Sequence, residues 1–421
     1  MKTFTKEQTK KIDNILLHKF FGIPILIVII GIMFVSTFVI GGYPQDWLDS
    51  LVNSICTALD AKMADSFFKD LLINGIISGI GGVLVFLPNI IILFFFISIL
   101  ELSGYIYRIA TIMDKTMHFM GLHGYSFVPL LMGFGCNAIA IMSTDNIKNR
   151  TDKLKTILLM PFMSCTARLP LYILIAGTLF DKLTAALVII GVYLFGLIVS
   201  IIFGIIFKNT IFRAKTDHSE IELPQYCIPS IKSIGRRIGH EVLDYMKKIA
   251  TVVLVASIII WWLDNYPKND NVEINDTKTQ LAEEQQIASR DTYLMQLGKF
   301  VEPVLRPLGF DWKMSVSLFT GIAAKEAAVS TMGILYYDQG KDIQTCMREA
   351  VNEDGSKVFS ISTGLAFLVF YLIYFPCITV FVVIKKVTAT WKYPLFMSVY
   401  TIGAAWLLAF IVKIVGTLFG F

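Results

Sequence analysis

Long uncharged runs separated by short charged ones dominate this chain. The first covers 20–42 (FFGIPILIVIIGIMFVSTFVIGG) without a single charged residue. A helix of that length spans a hydrocarbon core of about 30 Å. Further runs occupy 71–100, 127–142, 154–180, 183–207, 249–263, 314–337, 363–384 and 393–419. Pro88 divides the run over 71–100, because proline removes a helical hydrogen bond and clashes with the preceding turn. The pattern predicts about eight crossings, all helical, since lipid offers no partner for an unpaired backbone group.

The polar stretches orient these spans. Lys2, Lys6, Lys10, Lys11 and Lys19 precede the first run and place the N-terminus in the cytoplasm by the positive-inside rule. The connection over 42–70 carries Asp46, Asp49, Asp60, Asp65 and Asp70 against Lys62 and Lys69, and reads as an external connection. The segment over 211–248 holds Arg213, Lys215, Lys232, Arg236, Arg237, Lys247 and Lys248 and reads as a cytoplasmic basic linker. The loop over 264–313 has nine acids against six basic residues and is expected outside. Trp261 and Trp262 before it mark a headgroup boundary. Lys385 and Lys386 mark a cytoplasmic turn before the last span.

Composition agrees. The 421 residues are 55% hydrophobic and 16% charged, against roughly 25% charged in soluble domains. That excludes disorder. The net charge of +5, with no basic stripe interleaved with aromatics, argues against nucleic acid as a partner. Cys56, Cys136, Cys165, Cys227, Cys346 and Cys377 are scattered without a C-x-x-C pair, so neither a disulfide framework nor a structural zinc site is expected. The first run is too long for a signal peptide and lacks a small-residue cleavage site.

The runs are not plain anchors. Gly133, Gly135, Cys136 and Asn137 interrupt LLMGFGCNAIAI. Pro161, Ser164, Cys165, Thr166, Arg168 and Pro170 interrupt LLMPFMSCTARLPLY. Lys325 and Glu326 lie inside LFTGIAAKEAAVSTMGILY, and Pro376 and Cys377 inside FYLIYFPCITVF. Glycine and proline at bilayer depth free backbone carbonyls, which is tolerated only beside protein or a wet cavity. Ionisable residues there mark a pathway or a buried pair. Broken helices in two halves of a chain point to a transporter site near the midplane. A faint repeat supports two halves: AIMST at 140–144 resembles AAVST at 327–331, and each half has a polar break followed by a Pro/Cys break.

These motifs resemble the membrane part of the FeoB family, the bacterial ferrous iron transport protein B. The runs that carry the resemblance are FLPNIIILFFFISILELSGY, GLHGYSFVPLLMGFGCN, MPFMSCTARLPLYILIAG, AAKEAAVSTMGILY, GLAFLVFYLIYFPC followed by IKK, and KIDNILLHKFFGIPI. The resemblance covers nearly the whole chain. The family usually has GCNVPAI where this chain reads GCNAIAI, and often an acid after the glutamate of SILE, where Leu102 stands. The family's GTPase domain has no counterpart in the sequence, which contains no G-x-x-x-x-G-K-[ST] loop and no N-K-x-D. No GTP hydrolysis is therefore expected of this chain, which reads as a truncated form or as a split or stand-alone homologue. The resemblance implies an all-α polytopic transmembrane bundle with two nucleoside-transporter-like gate repeats, at 70–210 and 249–386. A leader (1–19) and first span (20–42) precede them, and a final span (387–421) follows. It also implies Fe²⁺ as transported substrate, with no other cofactor, in a bacterial inner membrane. Lipid, a separate or deleted GTPase domain and a small FeoA-like protein would be the partners, and a homo-oligomer is left open.

With the resemblance, Cys136, Cys165 and Cys377 are the expected metal ligands. Each adjoins a helix break, and thiolate and carbonyl groups both serve Fe²⁺. The ordinary alternative is that membrane cysteines pack as small apolar residues. Asn137, Ser164 and Thr166 supply oxygens or bond across helices, with equal weight. Met132, Met142, Met160 and Met163 read as gap fillers. Glu326 is an ion or proton ligand or half of a salt bridge. Lys325 reads as structural, with Glu101 as partner. Glu101 and Arg108, seven residues apart, read as a pair on one helix face. Arg168 is expected to reach the interface. His123, between glycines, reads as an exposed loop histidine, with a metal stop as the alternative. The competing functions are transport of another divalent metal or a nucleoside-like solute, or a non-transporting scaffold.

Overall fold

The computed structural model describes residues 2–18, 21–63, 66–85, 87–212, 223–267, 292–336, 342–351 and 357–419. Lys19, Arg213, Lys215 and the acids from Asp270 to Asp291 lie outside the described residues. Among the described residues, five helical stretches are long and apolar enough to cross a membrane: Gly22–Lys62, Arg150–Leu179, Lys182–Asn209, Ile361–Thr388 and Lys392–Leu418. A sixth crossing forms if Leu87–Leu102 and Tyr105–Phe119, bent by 85° at the break between them, count as one span. Two of the expected runs account for part of the difference from about eight crossings. The runs 127–142 and 314–337 are each cut into two short helices, so neither is a continuous span.

The chain divides into two compact units. The first comprises Met1–Met163, Ile198–Leu254 and Val383–Thr390. Its first helix, α1 (Lys6–Leu16), begins in a capping box: the Thr5 hydroxyl accepts from the Gln8 backbone while the Gln8 side chain accepts from Thr5 N–H. Such a cap satisfies two of the donors that a helix start leaves open. Helix α2 (Gly22–Lys62) continues 20 residues beyond Gly42, so the connection expected over 42–70 is largely helical. Its polar residues fit a helix because their hydroxyls bond one turn back, Ser50 to Asp46 O, Ser54 to Ser50 O and Thr57 to Asn53 O. Polarity there lowers membrane affinity without opposing helix geometry.

A π-helical segment, Leu71–Ile77, leads into α3 (Ser78–Val85). Then come α4 (Leu87–Leu102) and α5 (Tyr105–Phe119). The break expected at Pro88 adjoins Phe86, which lies outside the described residues. The 85° bend between α4 and α5 is made at Gly104, whose φ of 84° is open to glycine at little cost. Leu26, Tyr105, Ile109 and Tyr226 form a core here, with Phe4, Ile12 and Leu16 packed against it. The apolar face of α1 therefore buries into the unit. A two-stranded sheet, β1 (Lys2–Thr3) against β2 (Cys227–Ile228), ties the N-terminal segment to the linker. Short helices α6 (Phe127–Gly133), α7 (Asn137–Ser143) and α8 (Arg150–Leu159) complete the unit's central part.

The second unit comprises Ser164–Leu197, Val255–Val382 and Trp391–Phe421. It contains α9 (Leu169–Leu179), much of α10 (Lys182–Asn209) and the end of α11 (Ile231–Asn265). Beyond these lie α12 (Tyr293–Leu305), α13 (Trp312–Ala323), α14 (Ala327–Tyr336) and α15 (Ile343–Glu349). Last come α16 (Ile361–Ile373), the start of α17 (Ile378–Thr388) and α18 (Lys392–Leu418). Helix α16 is buried along nearly all its length and packs along α18. Phe310 meets Phe367 and Phe370 edge-on at 5.2 and 5.6 Å between centroids. That geometry favours the ring quadrupoles.

Candidate functional site

All four sequence interruptions are breaks in helices. In the first unit, α6 stops at Gly133 and α7 restarts at Asn137, with Cys136 extended between them. A second break lies over 163–165, between a 3-10 turn ending at Phe162 and one starting at Thr166. In the second unit, α13 stops at Ala323 and α14 restarts at Ala327, leaving Lys325 and Glu326 in the gap. There too, α16 stops at Ile373 and α17 restarts at Ile378, leaving Pro376 and Cys377 in the gap. Each proline withholds a backbone donor. At Gly133 a Cβ would meet Met163 Cβ at 3.0 Å and Asn137 Oδ1 at 3.3 Å.

Around the first break, Asn137 is 4% exposed. Its Nδ2 donates to Met163 O at 3.4 Å. Its Oδ1 is buried and has no hydrogen-bond partner among the described residues. A buried acceptor without a donor costs about 1–3 kcal/mol, so this oxygen is suited to a cation. Met132, Ile139 and Met142, which flank the break, line a cavity of about 1220 Å³ in the same unit. Its wall also holds Glu101, His123, Asp145, Asp152, Arg237 and His240.

In the second unit, Cys165 and Cys377 lie within electrostatic reach of one another, and Cys377 also of Lys325 and Glu326. No disulfide joins any of the six cysteines. Ser164 is buried and shares a 2.9 Å hydrogen bond with the Tyr172 hydroxyl. Lys325 Nζ donates to Phe375 O at 2.7 Å and stands 3.4 Å from the Tyr374 ring centroid. It thereby satisfies one backbone carbonyl in the gap after α16, and the aromatic face attracts the ammonium group. The Tyr371 hydroxyl donates to Lys325 O, and Tyr374 to Leu318 O at 3.3 Å. Gly321 makes room for this cluster, since a Cβ there would lie 2.5 Å from the Tyr374 hydroxyl. Thr166 starts the 3-10 turn after Cys165. Among the described residues, no three His, Cys, Asp or Glu side chains converge as a metal cage.

Several expected partners differ. Arg108 pairs with Asp13, through Nε at 3.0 Å and Nη2 at 3.2 Å, and not with Glu101. Glu101 pairs with Arg237 at 2.7 Å, not with Lys325. The seven-residue spacing fails because the helix bends at Gly104 between the two residues. Arg168 is 1% exposed rather than reaching the interface. It lies within electrostatic range of Cys165, Tyr172, Tyr371 and Tyr374. His123 is buried, not exposed. Its ring stacks on Tyr125 at 5.5 Å, and Nδ1 lies 3.7 Å from Asp114. The tyrosine cluster is what residue-level reading missed. The spacing of Tyr371 and Tyr374 beside a Pro/Cys break carries the signal.

The family model described as gate, nucleoside recognition, matches residues 83–179 and 246–391. That for the ferrous iron transport protein B C terminus matches residues 189–240. A Porphyromonas gingivalis Fe(2+) transport protein A/Fe(2+) transporter FeoB fusion protein is 42% identical over 98% of this chain and 52% of its own length. The Fe(2+) transporter FeoB of Campylobacter jejuni is 38% identical over 97% of this chain and 66% of its length. That of Leptospira interrogans is 37% identical over 97% and 60%. This chain thus spans between half and two thirds of the length of these relatives. No solved structure matches it. With the gate model covering more than half of it, and such identity along almost all of it, this chain belongs to the FeoB family.

Proposed function

We propose that this chain forms the membrane path through which ferrous iron enters the cytoplasm. The observation that carries the reading is the unsatisfied, buried Oδ1 of Asn137 beside Cys136 at an opened helix. An amide oxygen and a thiol next to free backbone are a donor set that a borderline cation accepts. The proximity of Cys165, Cys377 and Glu326 in the second unit supports a second group of donors. Such sites serve conduction only if they bind weakly enough to release the ion. The cavity lined by Met132 and Met142 offers an open volume next to the first break. Under this reading the two gate repeats cover 70–210 and 249–386, and the N-terminus faces the cytoplasm of the bacterial cell. The chain hydrolyses no nucleotide itself, and Fe²⁺ is its substrate, not a resident cofactor. The name of the Porphyromonas fusion protein supports an FeoA-like partner.

The test is uptake of radiolabelled Fe²⁺ into proteoliposomes holding the chain. Uptake is expected to fall at least tenfold in Asn137→Leu, Cys136→Ser, Cys165→Ser and Cys377→Ser. Removing one charge-assisted contact of about 1.5–3 kcal/mol is enough for that. Uptake unchanged in all four variants overturns the path. A second reading, a nucleoside-like solute, has support in the gate description and in the ring cluster of Tyr172, Tyr371 and Tyr374. Labelled nucleoside entering the same vesicles, with no Fe²⁺, would favour it.

A further inference from the structure

Helix α11 opens with Lys232, Arg236 and Arg237 followed by His240. Helical spacing sets residues 232, 236 and 240 on one stripe, with 233 and 237 alongside. These side chains, with Ser230 and Leu102, line a cavity of about 500 Å³ in the first unit. Among the described residues, Leu102 is the one apolar side chain in its wall, and no carboxylate lines it. Like charges four residues apart on a helix destabilise it by about 0.2–0.5 kcal/mol. A concave wall adds to the potential they create. Lys232 and Arg236 are exposed, so neither supports the core. Ser230 and Ser233 share a hydrogen bond at 2.8 Å and bring two hydroxyls to the same wall.

Arg237 differs from its neighbours. Its Nη2 meets Glu101 Oε2 at 2.7 Å. Arg237 and His240 also line the large cavity of about 1220 Å³, where Glu101 is a wall residue. The ion pair therefore stands in the partition between two cavities. One is basic, and the other is mixed, with Glu101, Asp145 and Asp152 beside Lys148, Arg237 and Lys386.

We propose that the small pocket binds a phosphate-bearing anion, and that the anion competes with Glu101 for Arg237. A tetrahedral phosphate presents several acceptor oxygens. A guanidinium grips two of them in a fork, an ammonium neutralises another, and hydroxyls complete the shell. When Arg237 turns to the anion, Glu101 is left as an uncompensated carboxylate in the wall of the large cavity. That raises the local attraction for a cation. The binding step stands independently of the transport reading, and only its consequence for a permeating cation rests on it. The phosphate has two sources, a free phosphate or the headgroup of an anionic lipid.

Calorimetric titration of the detergent-solubilised chain with inorganic pyrophosphate at low salt tests the shared chemistry. Saturable binding is expected, weakened at least ~tenfold by Lys232→Gln combined with Arg236→Gln, the loss of one or two charge-assisted contacts. Lys10→Gln, an exposed lysine on α1, serves as control. Binding that is absent, insensitive to the double change, or equally reduced by the control overturns the site. Glu101→Gln releases Arg237 and is expected to tighten pyrophosphate by about twofold to fivefold, the worth of a partly exposed ion pair. Unchanged or weaker binding in Glu101→Gln overturns the competition.

The source is read from melting midpoints in vesicles of phosphatidylcholine alone or mixed with phosphatidylglycerol. A midpoint raised by phosphatidylglycerol in the wild type but not in the double variant identifies a lipid headgroup. Stabilisation by pyrophosphate alone, with both vesicle types equal, identifies free phosphate.

Discussion

Arg108 has no side-chain exposure, and its counter-ion comes from Asp13, 95 residues earlier in the chain. Asp13 also accepts from the Tyr226 hydroxyl at 3.0 Å, and the guanidinium stacks 4.1 Å from that ring. Removing one partner of a buried pair strands the other charge in a low dielectric. Asp13→Ala is therefore expected to destabilise the chain by roughly 3–5 kcal/mol, read as a lowered melting midpoint. A loss under about 1 kcal/mol would class the pair with exposed ones. At the same scale, Cys165→Ser and Cys377→Ser are expected to be non-additive in Fe²⁺ uptake. The two thiols share one electrostatic environment, and coupled neighbours do not add. Purely additive losses would show that they act apart. The sequence announced that Glu101 and Arg108 needed counter-charges, because both interrupt apolar surroundings. It could not announce which ones. Asp13 and Arg237 are far away along the chain, and the bend at Gly104 cancels the helical spacing on which a local guess depends.

At the scale of elements, the breaks were legible. Glycine and proline act on the backbone within one turn, so GFGCN, MSCTARLP and YFPC place their interruptions locally. The gap at Lys325 and Glu326 was legible for another reason, since buried charges need the backbone carbonyls and rings that an opened helix provides. The extension of α2 to Lys62 was not legible, because polar residues report burial and not helicity. Helix α13 illustrates what a single cap contributes. Asp311 Oδ1 accepts from Met314 N–H at 2.8 Å and from the Tyr336 hydroxyl at 2.6 Å. Burial pushes its carboxyl above the ordinary value of 3.8, outweighing those hydrogen bonds. A raised carboxyl contributes stability below the ordinary value and loses it as pH rises through the raised one. The melting midpoint should therefore fall with pH across that window. In Asp311→Asn, which keeps an equally good cap, that slope should be absent. Equal slopes in the two proteins would remove Asp311 as the cause. Gly321→Ala probes close approach instead, since its Cβ would lie 2.5 Å from the Tyr374 hydroxyl. Overpacking of this kind costs about 1–3 kcal/mol, and a melting midpoint within error of wild type would show that the tyrosine moves aside freely.

At the scale of the whole molecule, charge alone decides which end of each span faces the cytoplasm. Lys6, Lys10 and Lys11 lie on α1, and Lys385 and Lys386 close α17. Basic residues near span ends resist translocation, so all five should share the cytoplasmic side. The segment over 264–313, richer in acids, should lie opposite. Lys10→Cys, Lys385→Cys and Lys299→Cys in a background with the six native cysteines replaced make this measurable. A membrane-impermeant maleimide added to right-side-out vesicles should label Lys299→Cys alone. Inverted vesicles should label the other two and spare it. Labelling of Lys10→Cys from outside would reverse the whole assignment, because the spans are counted outward from that terminus. An odd error in the count of spans between them would show instead as Lys10→Cys and Lys385→Cys labelled from opposite sides. The short, broken helices make the count sensitive, since each pair either crosses or re-enters.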